Sequence, residues 1–302
     1  YEAGKGKAGL DDPQGIDVDK DGNIYVSDYG NNRVAVFTPD GKYLDEIPVK
    51  CPDTVHVSRK TGAVYVIQLK PHKKPFNDQH YAVSAHNWWA ERVVKLGGLK
   101  DKTEKASWTN NLRTRYGGGG FMCLDESGDQ TVLWVSGMSY GGGPVMKFVD
   151  TGKELKLLGS PISDLAKKNK EYGLAYVADV CVLGEKLLTQ HPSFSNNNPS
   201  SLAFNSETGE RIGDYTPKKP DGKRENVWSL HYGEVTSGAD GRMYYHAKSH
   251  IIRRYDATGS RLPFFPEKTG DKKTDGFVTG LWHGHTRGAG LFVDREGTIY
   301  CP

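Results

Sequence analysis

The sequence offers little of what usually commits a chain to a particular site chemistry. Its four cysteines, at positions 51, 123, 181 and 301, form no Cys-x-x-Cys and no Cys-x-x-Cys-His. A zinc ribbon, a thioredoxin-type site and a c-type haem attachment are therefore unsupported. No run of about 18 apolar residues occurs, so no helical membrane span is expected. No helical period of any length is present either, and the short candidates near 163–170 and 85–94 fall in connections. Charge of one sign is also missing: 40 basic residues oppose 37 acidic ones, a net of +3. Nucleic acid is thus an unlikely partner on charge alone, and the basic clusters at 70–74, 167–170 and 218–224 read as solvated loops. There is no nucleophile elbow and no Ser-His-Asp order. The glycine runs 117–120 and 141–143 lack the Lys-Ser/Thr and the helix that a phosphate cradle needs.

Turns and short apolar strands are abundant. With 37 Gly, 15 Pro and 16 Tyr in 302 residues, the chain has the composition of many short strands joined by tight turns. Residues 13–41 display the unit. Ile16 and Val18 alternate with Asp17 and Asp19, Asp21-Gly22 turns, and Ile24-Tyr25-Val26 begins a second strand. A loop over 27–32 leads to a third strand, Arg33 to Thr38, and Pro39-Asp40-Gly41 turns into a fourth, Lys42 to Ile47. The first turn recurs at Gly22, Gly62, Gly128, Gly184, Gly241 and Gly297, and the second at Gly41, Gly152, Gly209 and Gly259. A repeat of this size cannot bury its own apolar face, so the copies must pack on each other.

On these residues the chain resembles the NHL-repeat family of β-propellers, whose repeat reads Pro-x-Gly-Ile-x-Val-Asp-x-x-Gly-Asn-Ile-Tyr-Val-x-Asp-x-x-Asn-x-Arg-Val-x-Val-Phe. Residues 13–37 match this pattern closely, and the later copies match mainly in turns and apolar rhythm. The expected fold is all-β: one six-bladed propeller of four-stranded antiparallel blades. The blades fall at about 12–49, 51–100, 119–158, 174–215, 229–265 and 287–302, with residues 1–8 supplying an outer strand to the last. A start at Tyr1 and an end within a blade suggest a piece of a longer chain, whose other domains would then be neighbours of the propeller.

In such a propeller the loops between second and third strands and the links between blades open on one face, and the extra length lies there. Insertions occupy 69–91, 138–144 and 191–200, and long links occupy 106–119, 159–176, 216–229 and 264–288. Trp88, Trp89, Tyr140, Trp228 and Trp282 bring flat apolar surface to that face, and Arg113, Arg115, His191 and Arg287 bring donors. The mixture suits a protein, a glycan or an anionic small ligand, although many such aromatics serve only to pack long loops.

The histidines raise an enzymatic alternative. A relative of the NHL repeat, the peptidyl-hydroxyglycine amidating lyase, holds zinc with three His near the inner strands, and the resemblance would place ligands among His56, His231, His283 and His285. Their offsets along the blades disagree, which weakens the case for one metal. The segment 233–245 faintly resembles the streptogramin-type lyases, mapping that family's His and Glu to His231 and Glu234. Cys123 and Cys181 align on adjacent inner strands and could pair in an oxidising compartment, or serve as small buried hydrophobes. Asp17-x-Asp19-x-Asp21-Gly22 imitates a calcium loop, but strands flank it where helices are needed, so turn chemistry is the expectation. The reading is a secreted or extracytoplasmic binding and scaffolding propeller with no cofactor. Its alternatives are a zinc-dependent lyase or hydrolase and an RNA-binding NHL domain.

Overall fold

Asp-Gly and Thr-Gly turns reverse the chain every few residues, and what they join is a series of antiparallel meanders. The computed structural model describes residues 2–4, 6–70, 90–109, 120–137, 145–162, 179–190, 201–223, 234–247, 251–264, 278–279 and 292–300. Two short strands, β1 (Glu2–Ala3) and β2 (Gly9–Leu10), pair in parallel ahead of the first blade. Blade one runs β3 (Pro13–Val18), β4 (Ile24–Asp28), β5 (Arg33–Phe37) and β6 (Tyr43–Pro48), each hydrogen-bonded to the next. Blade two is β7 (Pro52–Val57), β8 (Val64–Leu69), β9 (Ala90–Leu96) and β10 (Glu104–Thr109). Blade three is β11 (Gly120–Asp125), β12 (Val132–Gly137), β13 (Val145–Asp150) and β14 (Leu155–Gly159). Blade four is β15 (Asp179–Leu183), β16 (Lys186–Gln190), β17 (Ser201–Asn205) and β18 (Arg211–Tyr215).

Blade five comprises β19 (Glu234–Ser237), β20 (Met243–Ala247), β21 (Ile251–Tyr255) and β22 (Arg261–Leu262), with β23 (Val278–Thr279) also pairing on β21. A two-stranded hairpin, β24 (Phe292–Val293) and β25 (Ile299–Tyr300), follows. The expectation of six four-stranded blades is thereby corrected to five among the described residues, with a hairpin in the last position.

An aspartate closes the first turn in three places, twice from the same position. The Asp19 carboxylate accepts the N–H groups of Asp21 and Asn23, both at 2.9 Å, and the Tyr25 hydroxyl at 3.2 Å. Asp294 repeats this with the Thr298 N–H at 2.7 Å and the Tyr300 hydroxyl at 3.2 Å, whereas Asp240, next to its turn glycine, accepts the Arg242 N–H at 3.1 Å and the Tyr244 hydroxyl at 2.7 Å. At the turn itself Gly22 has φ +84°, a conformation that favours glycine. The calcium-like aspartates therefore do not converge: Asp19 caps its own turn, Asp21 pairs with Lys20, and Asp17 is buried against blade two.

Apolar side chains from neighbouring blades form a core at each seam. Val34, Val36 and Ile47 of blade one pack with Val55, Val64 and Val94 of blade two. Tyr65 and Ile67 meet Leu133 and Phe148, Trp134 meets Val180 and Phe204, and Cys181 and Leu188 meet Met243 and Tyr245. The hairpin joins the ring through both its neighbours: Val293 packs with Tyr244 and Ile252 of blade five, and Phe292 with Leu10, Ile16 and Val26 at blade one. Full burial of each large side chain contributes about 1.5–3 kcal/mol. Free Cys123 and Cys181 take part as buried hydrophobes, the second of the two expected roles.

The outer strands of blades one to four each carry a bulge. The register skips Leu44 in β6, Lys105 in β10, Leu158 in β14 and Ile212 in β18. A bulge turns its extra residue away from the ladder, and Leu44, Leu158 and Ile212 at these positions are exposed.

The N-terminal segment departs from expectation. Residues 2–3 pair with 9–10 rather than with the hairpin, and the segment is fastened to blade one. Arg33 donates to the carbonyls of Gly9 at 2.6 Å and Gly6 at 3.1 Å while its Nε pairs with Asp28 at 2.7 Å. Asn31 donates to the Gly4 carbonyl and Asp28 accepts the Asp11 N–H. A buried guanidinium and carboxylate satisfied by four acceptors and three donors outcompete the few ladder bonds that a terminal strand would gain on the last blade.

Candidate functional site at the innermost strands

The first strand of each blade lies innermost, and polar side chains on these strands lace one blade to the next. Asp17 of β3 is buried and bonds in two directions. Its Oδ1 accepts the Val18 N–H at 2.8 Å, and its Oδ2 accepts the Val57 N–H of blade two at 2.8 Å. Arg59 donates to Oδ1 at 3.0 Å, and His56 Nδ1 lies 3.3 Å from Oδ2. Burial alone would raise this carboxyl, but Arg59, His56 and the Val57 N–H outweigh it and hold it below the usual carboxylate range.

Blade two passes the lacing to blade three. His56 Nε2 donates to the Met122 carbonyl at 2.6 Å, Thr54 donates to the Gly120 carbonyl at 2.7 Å, and Asp53 accepts the Gly120 N–H at 3.0 Å. Glu126 accepts the Ser58 hydroxyl at 2.5 Å and the Arg59 N–H at 3.0 Å. The Arg59 guanidinium also lies 5.1 Å from the centre of the Phe292 ring, so one side chain of blade two touches blade one and the hairpin beyond it. Close strand approach depends on Gly15, where a Cβ would stand 2.7 Å from the Asp53 carbonyl oxygen.

A second carboxylate of this kind stands at blade four. Asp179 Oδ1 accepts the Val180 N–H at 2.7 Å and Oδ2 accepts the Val235 N–H of blade five at 2.8 Å. Burial pushes this carboxyl up to about 7, and the two N–H groups and the field of His56 only partly offset the rise. Burial likewise pushes the thiols of Cys123 and Cys181 well above their usual range, so neither is a ready nucleophile.

Of the residues expected to form a site, only His56 and Glu234, the first residue of β19, lie among the described ones. Both ring nitrogens of His56 face protein acceptors, so neither offers a free lone pair to zinc. Among the described residues no group of three or more His, Cys, Asp or Glu could hold a metal ion. Trp88, Trp89, Arg113, Arg115, Tyr140, His191, Trp228, Trp282 and Arg287 lie outside the described residues, as do His231, His283 and His285. Their points of attachment are nevertheless clear. The meander places the connections after β8, β12 and β16, and those between blades, at one end of the strands. Sequence reasoning missed Asp17, Arg59, Glu126 and Asp179. A detectable signal existed for two of them, an acid set within an inner-strand run, as in Gly-Ile-Asp17-Val and Ala-Asp179-Val-Cys.

Residues 10–37 match the family model described as NHL repeat. No curated protein matches the sequence. Among solved structures the chain is similar to Kuenenia stuttgartiensis hydrazine synthase, at 14% identity and a TM-score of 0.55, covering 96% of this chain and 73% of that one. It is also similar to XC5397 from Xanthomonas campestris, described as a gluconolactonase, at 9% identity, a TM-score of 0.53 and coverage of 96% and 82%. Virginiamycin B lyase from Staphylococcus aureus gives 15% identity, a TM-score of 0.47 and coverage of 83% and 68%. At such identities the likeness is one of fold. With its four-stranded antiparallel blades laced one to the next, the chain has the fold of a β-propeller, and residues 10–37 of its first blade carry an NHL repeat.

Proposed function

We propose that this chain is a binding propeller that presents the looped end of its blades to a protein, glycan or small ligand. The observation that carries this reading is the asymmetry of its connections. At one end β8 stops at Leu69 and β9 starts at Ala90, β16 stops at Gln190 and β17 starts at Ser201, and β18 stops at Tyr215 and β19 starts at Glu234. At the other end the strands are joined by tight turns such as Val18 to Ile24 and Leu183 to Lys186. A rigid scaffold with most of its long connections at one end is built to display them, and these connections hold the Trp, Arg and His residues named above.

The zinc-dependent alternative has less support, because the one described candidate ligand, His56, is committed to Asp17 and Met122. Likeness in fold to a gluconolactonase or a lyase supplies no ligand set of its own.

Glycan and peptide arrays probed with the full chain test the reading, with Trp88→Ala/Trp89→Ala and Trp228→Ala as looped-end variants and Lys60→Ala as a control at the opposite end. Specific binding lost in the looped-end variants and kept in the control is the expected result. Binding unaffected by those variants, or stoichiometric zinc that disappears in His231→Ala, would overturn it.

A further inference from the structure

Five Asp-Gly pairs occur in the sequence, at 21–22, 40–41, 221–222, 240–241 and 275–276, and all but the last lie among the described residues. The backbone of these four is nearly the same. Each glycine N–H bonds the carbonyl oxygen three residues back, at Asp19, Thr38, Lys219 and Gly238. Each glycine also has a left-handed φ, +84° at Gly22, +79° at Gly41, +78° at Gly222 and +75° at Gly241. What distinguishes the four turns is therefore how the aspartate itself is held.

Three of the carboxylates are tied into their turns. Asp240 is buried and accepts the Arg242 N–H at 3.1 Å, the Arg242 guanidinium at 3.1 Å and the Tyr244 hydroxyl at 2.7 Å. Asp40 accepts the Thr38 hydroxyl at 2.5 Å and the Lys42 ammonium at 2.6 Å, and Asp221 accepts the Lys223 N–H at 3.0 Å. Asp21 is different because Asp19 does the capping in its turn. Among the described residues the Asp21 carboxylate meets only Lys20, and both side chains are 64% exposed. Such a surface pair contributes about 0–1 kcal/mol, which holds a side chain weakly. The Gly22 N–H bond is also the longest of the four, at 3.2 Å against 2.9, 2.9 and 3.0 Å.

We propose that Asp21 is a site of spontaneous isomerisation to isoaspartate, favoured over the other three described Asp-Gly pairs. The Gly22 nitrogen attacks Asp21 Cγ and forms an N–Cγ bond, closing a five-membered succinimide. The amide proton, a solvent proton and one carboxylate oxygen leave as water. A second water then cleaves the bond between the Gly22 nitrogen and the Asp21 main-chain carbonyl. That carbonyl is released as a carboxylate with return of a proton, and the chain now runs through Cγ at unchanged mass. Glycine has no Cβ to obstruct the closing ring. Asp21 needs only to leave an exposed lysine to begin, whereas Asp40, Asp221 and Asp240 must first give up hydrogen bonds that define their turns.

The product alters blade one at the end opposite its long connections. Isoaspartate adds one methylene to the backbone between the Asp21 and Asn23 N–H groups, both of which the Asp19 carboxylate accepts at 2.9 Å. The same carboxylate accepts the Tyr25 hydroxyl, so the turn loses its fit to the strand that follows.

The test ages the full chain for several weeks at neutral pH and body temperature, folded and in urea, and quantifies isoaspartate by peptide mapping against synthetic standards. In the folded protein isoaspartate at 21 should exceed that at 40 and 221 several-fold and be undetectable at 240, and in urea the four yields should converge. Asp21→Glu, which would require a six-membered ring, should abolish the signal at 21, and Asp21→Asn should raise it because ammonia is the better leaving group. Equal yields at Asp21 and Asp40 in the folded chain, no isoaspartate at 21, or the same ranking in urea as in the folded protein would each overturn the proposal.

Discussion

One terminal nitrogen of Arg33 lies 2.6 Å from the carbonyl oxygen of Gly9, so the signature arginine of the repeat holds down the segment that enters its own blade. The same guanidinium bonds Asp28 at 2.7 Å and Glu46 at 2.6 Å. Arg33→Ala leaves Asp28 buried without its cation, and breaking such a pair costs about 3–5 kcal/mol. A lower urea midpoint and new proteolytic cleavage before Leu10 are expected. Arg33→Lys, which keeps the charge but not the fork, should recover only part of the loss.

Gly15 is the third residue of the Pro-x-Gly-Ile pattern, and here its role is steric. An added Cβ would meet the Asp53 carbonyl oxygen at 2.7 Å, the Val55 nitrogen at 3.0 Å and the Thr54 Cα at 3.1 Å, all backbone atoms of the adjoining blade. Gly15→Ala should therefore destabilise by about 1–3 kcal/mol, the usual range for overpacking. Gly128→Ala, where nothing lies within 4 Å, serves as the control and should change the unfolding midpoint little.

These two residues show why the fold was legible and the site was not. Pattern positions such as Gly15, Tyr25, Asp28, Asn31 and Arg33 are structural: they cap turns, admit a neighbouring strand or strap the entering chain, and so they report architecture. Alternation and Gly turns located the strands because side-chain period and turn geometry are local properties. The last position of the ring was misread because turn spacing at Gly297 announces a strand pair but does not say how many strands follow it. His56 illustrates the limit for sites. Its spacing resembled that of a ligand, yet its partners are Asp17, 39 residues earlier, and Met122, 66 later, and no local pattern reveals contacts across blades.

His56 consequently makes a sharp prediction. If its role is to tie three innermost strands, His56→Ala removes two polar contacts and should cost about 1–3 kcal/mol, the usual penalty for leaving buried partners unmet. The zinc content of the dialysed protein should be the same in variant and wild type by elemental analysis. A fall in bound metal with unchanged stability would show that the histidine acts as a ligand.

Acid should weaken the seam between blades two and three through Asp150. Its carboxylate meets Lys95 at 2.6 Å, the Tyr65 hydroxyl at 2.5 Å and the Gly152 N–H at 2.7 Å. Burial acts to raise this carboxyl, but Lys95, Tyr65 and Gly152 together hold it below its ordinary value of 3.8. A depressed folded value means that the unfolded chain takes up the proton first as pH falls. The stabilisation is therefore present above about pH 4 and is lost below it. Asp150→Asn should cost about 1–3 kcal/mol at pH 7, where the charged partner of Lys95 is missing. The gap between variant and wild type should close as pH falls from 5 toward 2.5, because protonation removes the same charge from the wild type. Urea midpoints across that range measure the convergence, and a constant gap would assign the loss to packing rather than to the carboxylate.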